Sequence, residues 1–376
     1  MQLLKRTWAE IDISALRHNF KILKKLSGES LISAVVKANA YGHSDSIVAP
    51  VLEAAGADCF AVSNIEEALH LRKIGITKPI LILGYTPASL AKILSDNNIA
   101  QCVYSEEYAN ALSRFAKEQN ATVKIHIKLD TGMGRLGFDC RNENLEEIDN
   151  AIASAKLEAL DFEGIFTHFA FSDRCEAEED GFTDEQYNRF EKALGIFKAS
   201  GLIPKFCHCR NSAAMLNDKD KELDISRAGI CLYGLTPSTL LKLKEELIPV
   251  MTMKSVVSQV KKIHKGDTVS YGRTFKAEND MTVATVTAGY ADGYPRLLSN
   301  KGHVIINGKR ANILGRICMD QFVVDVTDIK DISIDDEVIL FGKELPVEEI
   351  AELCGTINYE IICGVSPRVP RIAVNE

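Results

Sequence analysis

Between Leu31 and about Leu235 the chain alternates two kinds of segment. Short apolar runs begin near Leu31, Cys59, Ile80, Gln101, Val123, Phe162, Lys205 and Leu223, with helix-patterned stretches such as 45–55, 65–74, 87–97, 106–119 and 184–199 between them. Runs that are apolar on both faces suit strands covered on both sides by helices. Eight of them alternating with helices predict an α/β fold, a (β/α)8 TIM-type barrel. An open doubly wound sheet is the competing count, but no Gly-x-Gly-x-x-Gly turn follows the first run, which weakens a dinucleotide-binding reading.

The texture changes after Leu235. Thr236-Pro237-Ser238 reads as a linker and residues 240–247 as a short charged helix. Alternating runs follow over 251–260, 281–287, 303–306, 322–326 and 337–341, separated by turns such as Lys265-Gly266-Asp267 and Asn307-Gly308-Lys309. Asn-Gly between two such runs is a strong hairpin signal. We therefore expect a barrel over residues 1–238 and a mostly β domain over 239–376 with one late helix at 347–353. Residues 7–13 form a strand-like run outside the eight and are expected to pack on the second domain.

Composition narrows the function classes. With 376 residues, 46% hydrophobic and 26% charged, the chain can bury two substantial cores. A net charge of -8 leaves no basic stripe for nucleic acid or an anionic membrane surface. No apolar run is long enough to span a bilayer, and the first residues lack an apolar signal segment. Ten scattered cysteines fit a reducing cytoplasm, and Cys207-His208-Cys209 lacks the second half of a zinc site, so no metal is expected.

Chemistry-bearing residues gather where the first strands end. The run 31–36 leads into Lys37-Ala38-Asn39-Ala40-Tyr41-Gly42-His43. A lysine closing a buried strand has its stem in apolar surroundings, and burial disfavours the ammonium, so the amine can be nucleophilic and form a Schiff base. Over 123–130 strict alternation puts Lys124, His126, Lys128 and Asp130 on one face, suited to a barrel lumen. The glycines of Thr131-Gly132-Met133-Gly134-Arg135-Leu136-Gly137 let Arg135 approach a carboxylate or phenolate. His168 ends the sixth barrel strand. Ser212, at a helix start, and Gly229 and Ile230, after the eighth strand, make a phosphate-ready corner with Arg227 beside it. Tyr271, Tyr290, Arg296, Arg316 and Met319 sit in second-domain loops dense in tyrosine, glycine and charge. Singly, each has an ordinary structural explanation, such as a snorkelling lysine or a capping serine.

In their order these stretches resemble the alanine racemase family over essentially the whole chain: the lysine motif, then DTGMGRLGF, THFA, NSAA, SRAGI, SYGRTF, AGYADGYPR and GRICMDQ. The resemblance implies a pyridoxal 5'-phosphate (PLP) enzyme. Lys37 would carry the cofactor, and Tyr41, Ser212, Tyr359 and the Gly229 and Ile230 amides would hold its phosphate. Arg227 would face the pyridine nitrogen; guanidinium only donates, so that nitrogen would stay unprotonated and transamination would be suppressed. Lys37 and Tyr271 would be the bases on opposite faces of the α-carbon. Tyr271 and Met319 would come from a partner subunit, which requires a homodimer. A free tyrosine titrates near ~10, so Tyr271 would need positive surroundings, for which the family pattern offers His168 linked to Arg227. Arg135 would contact the cofactor phenolate and the substrate carboxylate. Lys128 matches a lysine carbamylated in many relatives, and Asp173, Tyr290, Arg296 and Arg316 match residues of the access channel. The chain departs from many relatives at Asn39, where they have Asp, and at Ser44, where they have Gly.

The activity so implied is interconversion of L-alanine and D-alanine, supplying D-alanine for peptidoglycan. A broad-spectrum serine or lysine racemase shares the chemistry. A barrel-type PLP decarboxylase would need a different second-domain site with an acidic-cysteine motif. A non-catalytic PLP-binding protein would resemble the barrel alone.

Overall fold

The computed structural model describes residues 6–174, 181–238, 241 and 246–376. Thr7–Asp12 (β1) runs directly into the helix Ile13–Leu26, with Asp12 as the cap that accepts from Ala15 N–H. The sequence expectation does not include this helix, although its buried Ile13, Leu16, Phe20 and Leu23 recur at helical spacing. Then come Leu31–Val35 (β2), Cys59–Val62 (β3), Ile80–Ile82 (β4), Ile99–Val103 (β5), Val123–Asp130 (β6), the two-residue Phe138–Asp139 (β7), Leu160–Phe166 (β8), Phe206–His208 (β9) and Ile225–Ala228 (β10). The sheet order is β10-β2-β3-β4-β5-β6-β8-β9, all parallel, with β7 beside β6. The barrel expected from the sequence is thus present and nearly closed. At the seam the Arg227 N–H donates to the Arg210 carbonyl at 3.1 Å.

Helices cover the barrel's outer face, and polar caps start several of them. Asn64 caps Ile65–Lys73, Ser105 caps Glu106–Glu118 and Asn211 caps Ser212–Asn217. The helix expected over 87–97 is instead a 3-10 turn, Ala88–Leu90, followed by Ala91–Asp96. The short helix expected over 240–247 falls mainly on 240 and 242–245, outside the described residues.

The second sheet comprises Met251–Ile263 (β11), Met281–Val286 (β14), His303–Ile306 (β15), Lys309–Leu314 (β16), Phe322–Asp325 (β17), Glu337–Phe341 (β18) and Arg371–Val374 (β19), with a small ladder of Thr268–Val269 (β12) and Phe275–Lys276 (β13). Asn307 and Gly308, at φ 49 and 72, turn the β15–β16 hairpin. β1 lies in this sheet, antiparallel to β11 and parallel to β19. Two late helices occur here where one was expected, Val347–Cys354 and Asn358–Cys363. The second packs its backbone against the loop after Lys37, so both parts of the chain build one mouth. Among the described residues no helix is long and apolar enough to cross a membrane, and no group of side chains is arranged to hold a metal ion.

Candidate active site

The site starts from an unusual piece of backbone. Immediately after Lys37, four consecutive residues, Ala38, Asn39, Ala40 and Tyr41, have φ between 52 and 54. Each left-handed non-glycine residue costs about 1–2 kcal/mol, so a run of them persists only if the surroundings hold it. Ala40 N–H donates to the Val36 carbonyl at 2.8 Å and Gly42 N–H to the Ala38 carbonyl at 2.9 Å. The Ala38 N–H reaches Glu67 Oε1 at 2.7 Å, and Asn39 Oδ1 accepts from Asp45 N–H at 2.9 Å. From the second domain, Arg371 Nε donates to the Gly42 carbonyl at 2.8 Å. Gly42 itself is dictated by contact: a Cβ there would stand 2.1 Å from the Ile362 carbonyl oxygen.

The turn opens on a cavity of about 610 Å³ at the carboxyl ends of the barrel strands, within the ordinary range for a small-molecule site. Lys37, Tyr41, Lys128, Arg135, His168, Asp173, Ser212, Arg227, Gly229, Ile230 and Tyr359 all line it. Burial, and then the charge of Arg135, push the Lys37 amine below its ordinary range. The Lys128 amine, 5% exposed, lies 5.1 Å from the Phe166 ring centroid and donates to the Leu129 carbonyl at 3.2 Å. Burial first and Arg227 second bring its pKa down to about 7. At the opposite corner Ser212 Oγ accepts from Gly229 N–H at 2.8 Å, and the Tyr41 ring packs on Tyr233 and Tyr359.

Arg227 organises the floor. It donates through Nη2 to the carbonyls of Thr167 and Cys209, both at 2.9 Å, and shares one of these hydrogens with His168 Nδ1 at 3.2 Å. Through Nη1 it donates to His208 Nδ1 at 2.8 Å. Because guanidinium only donates, both Nδ1 atoms accept, so each imidazole carries its proton on Nε2. His208 Nε2 then donates to His126 Nδ1 at 2.9 Å, and His126 Nε2 points to Glu163 at 3.7 Å. This file of groups crosses the lumen from the mouth to the half-buried Glu163 at the base. Gly164 makes room for it, since a Cβ there would lie 2.5 Å from His126 Nδ1. Burial, reinforced by Arg227, holds His168 and His208 well below the usual histidine pKa. Burial thus favours the neutral form of His168, and the positive charge behind it is that of Arg227.

The second-domain residues lie elsewhere. Tyr271, Tyr290, Arg296, Arg316 and Met319 do not line the cavity of their own chain. Tyr271 is 72% exposed on a strained turn flanked by Ser270 at φ 63, and Ser270 Oγ donates to the Arg316 carbonyl at 2.6 Å. Tyr290 N–H donates to the Cys318 carbonyl at 3.1 Å and Ala291 N–H to the Met319 carbonyl at 3.0 Å. One exposed face thus collects Tyr271, Tyr290, Arg316 and Met319. Four residues that the sequence reading did not assign to the site belong to its support: Glu67, His126, Glu163 and His208. Glu67 lies within the helix expected over 65–74, but nothing in the local spacing ties it to Lys37.

A parallel barrel with a depressed-pKa lysine and a buried arginine at its carboxyl mouth defines an enzyme, since that is where barrel enzymes work. Residues 11–237 match the alanine racemase N-terminal domain, and residues 250–373 match the alanine racemase C-terminal domain. Alanine racemase 1 of Clostridium acetobutylicum is 43% identical over 376 residues, covering 99% of this chain and 96% of that protein. Alanine racemase of Clostridium perfringens strain SM101 is 45% identical over 374 residues, 98% of this chain and 95% of that protein. Among solved structures, alanine racemase of Clostridium difficile 630 superposes with a TM-score of 0.93 at 39% identity, covering 100% of this chain and 98% of that one. That of Bacillus anthracis with bound L-Ala-P gives 0.93 at 37%, covering 100% and 97%. The chain belongs to the alanine racemase family, whose members are PLP-dependent isomerases.

Proposed function

We propose that the chain interconverts L-alanine and D-alanine with PLP in the barrel mouth, and that it supplies D-alanine for peptidoglycan. One observation carries this reading: a single cavity offers a group for each part of the cofactor. Lys37 would hold the aldehyde carbon, Arg227 the pyridine nitrogen, and Tyr41, Ser212, Tyr359 and the amides of Gly229 and Ile230 the phosphate. The corner is open where a side chain would close it, since a Cβ on Gly229 would stand 3.0 Å from the Tyr41 hydroxyl and 3.4 Å from Ser212 Oγ. Bound there, PLP withdraws electrons from the α-carbon of the amino acid and makes its C–H acidic.

Racemisation needs a proton removed on one face and returned on the other. Lys37, whose amine is held below its usual range, is suited to exchange a proton on one face. The exposure of Tyr271 supports its acting on the other face from a partner subunit, in a homodimer with shared sites. The Nε2–H of His168, fixed by the bond from Arg227, would donate to the phenol oxygen of Tyr271 of the partner subunit as its proton leaves. Arg135 would orient the substrate carboxylate. An amine that sheds its proton near 7 can add carbon dioxide, and a carbamate on Lys128 would supply a negative charge to orient Arg135. Asp173 would join Tyr290, Arg296 and Arg316 of the partner subunit along the access channel. The second domain and its tyrosine loop favour this over a PLP carrier.

The test is to incubate the PLP-loaded protein with L-alanine in heavy water, following optical rotation and α-proton loss by NMR. Decay to zero rotation with deuterium in both enantiomers is expected. Unchanged rotation without exchange would rule out alanine and leave serine, lysine and the decarboxylase substrates to try.

A further inference from the structure

Glu67 lies on the first turn of the helix after β3, and its two oxygens are used unevenly for a capping residue. In a capping box the third residue of the helix bonds back to the cap's own N–H. Here Asn64 does accept from the Glu67 N–H, at 2.9 Å. The Glu67 carboxylate, however, goes elsewhere: Oε2 accepts from Ser63 N–H and Oε1 from Ala38 N–H, both at 2.7 Å. One carboxylate therefore ties the carboxyl ends of β2 and β3 together, at the first residue of the left-handed turn behind Lys37.

We propose that Glu67 is a positioning residue for Lys37: its carboxylate clamps the strained turn that aims the amine. This rests on the reading of Lys37 as the PLP-carrying lysine. The clamp makes two charge-assisted bonds to backbone, each stronger than a neutral pair, at a place where left-handed alanine and asparagine need support. The charged and titratable groups around the Lys37 amine are Arg135 from the glycine loop, His168 from the end of β8, Cys363 from the late helix, and Glu67. Arg135 disfavours the ammonium, while Glu67 favours it; the Cys363 thiol, pushed up by burial, carries no charge near neutral pH. Glu67 is the carboxylate among them, so it is the counterweight to Arg135.

The test uses the full-length chain and two variants, Glu67→Gln and Glu67→Ala. Lys37 acylation by an amine reagent is followed across pH by mass spectrometry of its peptide, and PLP retention is followed through borohydride-fixed adduct on the same peptide after dialysis. Glutamine keeps the shape, keeps one acceptor and loses the charge. We expect its Lys37 labelling midpoint to fall by up to about one pH unit, with PLP retention about tenfold weaker and little change in the urea midpoint. Glu67→Ala should lose more retention; if it does not fold, the glutamine variant still decides. An unchanged midpoint and unchanged retention in Glu67→Gln would reduce Glu67 to a helix cap and overturn the proposal. Labelling is carried out on PLP-depleted protein, because a Lys37 held as an imine does not acylate; wild-type protein that fails to take up PLP would sink the functional reading while the labelling still reports on the clamp.

Discussion

Arg227 at the barrel mouth is 4% exposed and hydrogen-bonded to two carbonyls and two histidines, whereas Tyr271 in the second domain is 72% exposed on a strained turn. The mouth buries its charges, neutralises its histidines and fixes their tautomers within one chain. The second-domain face leaves its phenols and its methionine open. Buried and networked groups are preorganised for electrostatic work; an exposed phenol has no such setting until another surface covers it. The contrast separates a part of the site that one chain completes from a part that two chains would have to complete together.

The most severe test of that contrast removes one group from each region. Lys37→Ala should reduce racemisation by on the order of 10³-fold or more, and Tyr271→Phe by ~10²–10⁴-fold while PLP stays bound. Dissociating and re-associating the two inactive variants as mixed dimers should restore activity measured by polarimetry, because one mouth would then face an intact tyrosine. Failure of every mixture to recover would break the two-chain half of the comparison.

A smaller effect is expected from cutting the file of groups beneath Arg227. His208→Leu leaves an Arg227 N–H and the His126 Nδ1 without partners in a buried setting, which should cost about 1–3 kcal/mol in urea unfolding. A midpoint unchanged from wild type would show that the mouth is not held from below by these histidines.

Lys128 gives a pH signature. Its pKa is about 7 in the folded chain against 10.5 as a free side chain. Between those values the unfolded chain holds the extra proton, so stability rises with pH from about 7 to about 10.5. Below 7 the full cost of a buried ammonium is present. Lys128→Met should therefore raise the urea midpoint most at pH ~6 and progressively less toward pH ~9. A gain equal at both would mean that burial does not set the amine's protonation.

The barrel was legible because eight apolar runs alternate with helical patterns and no Gly-x-Gly-x-x-Gly turn supports the competing open sheet, and the polar phase of β6 already pointed His126 and Lys128 inward. Lys37, Arg135, His168, Ser212 and Arg227 stood out because each ends a strand or fills a glycine-bearing loop at the same end of the sheet. The links between strands were not legible. Nothing in local spacing relates Arg227 to His208, His126 and Glu163, since the contacts join four different strands. Nor does it relate Glu67 to the turn behind Lys37. The second late helix was missed because Asn358–Cys363 is short and capped by backbone alone. The separation of Tyr271 from its own cavity follows from no local spacing either; the family resemblance alone implied it.

The smallest effect concerns strain that this chain carries at Ser44, where the family resemblance would put glycine. Ser44 has φ 75 and ψ 105, outside the left-handed helical well, and its side chain makes no cap bond to the helix Asp45–Ala55. The cap's work is done by Asn39, whose Oδ1 takes the Asp45 N–H; this is an acceptor role that the aspartate of relatives would also fill. Such a serine conformation costs about 1–3 kcal/mol, and glycine would remove that cost while adding about 0.5–1 kcal/mol of unfolded-state entropy. Ser44→Gly should therefore stabilise the chain by about 1 kcal/mol in urea unfolding and leave racemisation unchanged. A loss of stability would mean that the serine hydroxyl supports the Lys37 loop, and would move Ser44 from tolerated strain to working part of the mouth.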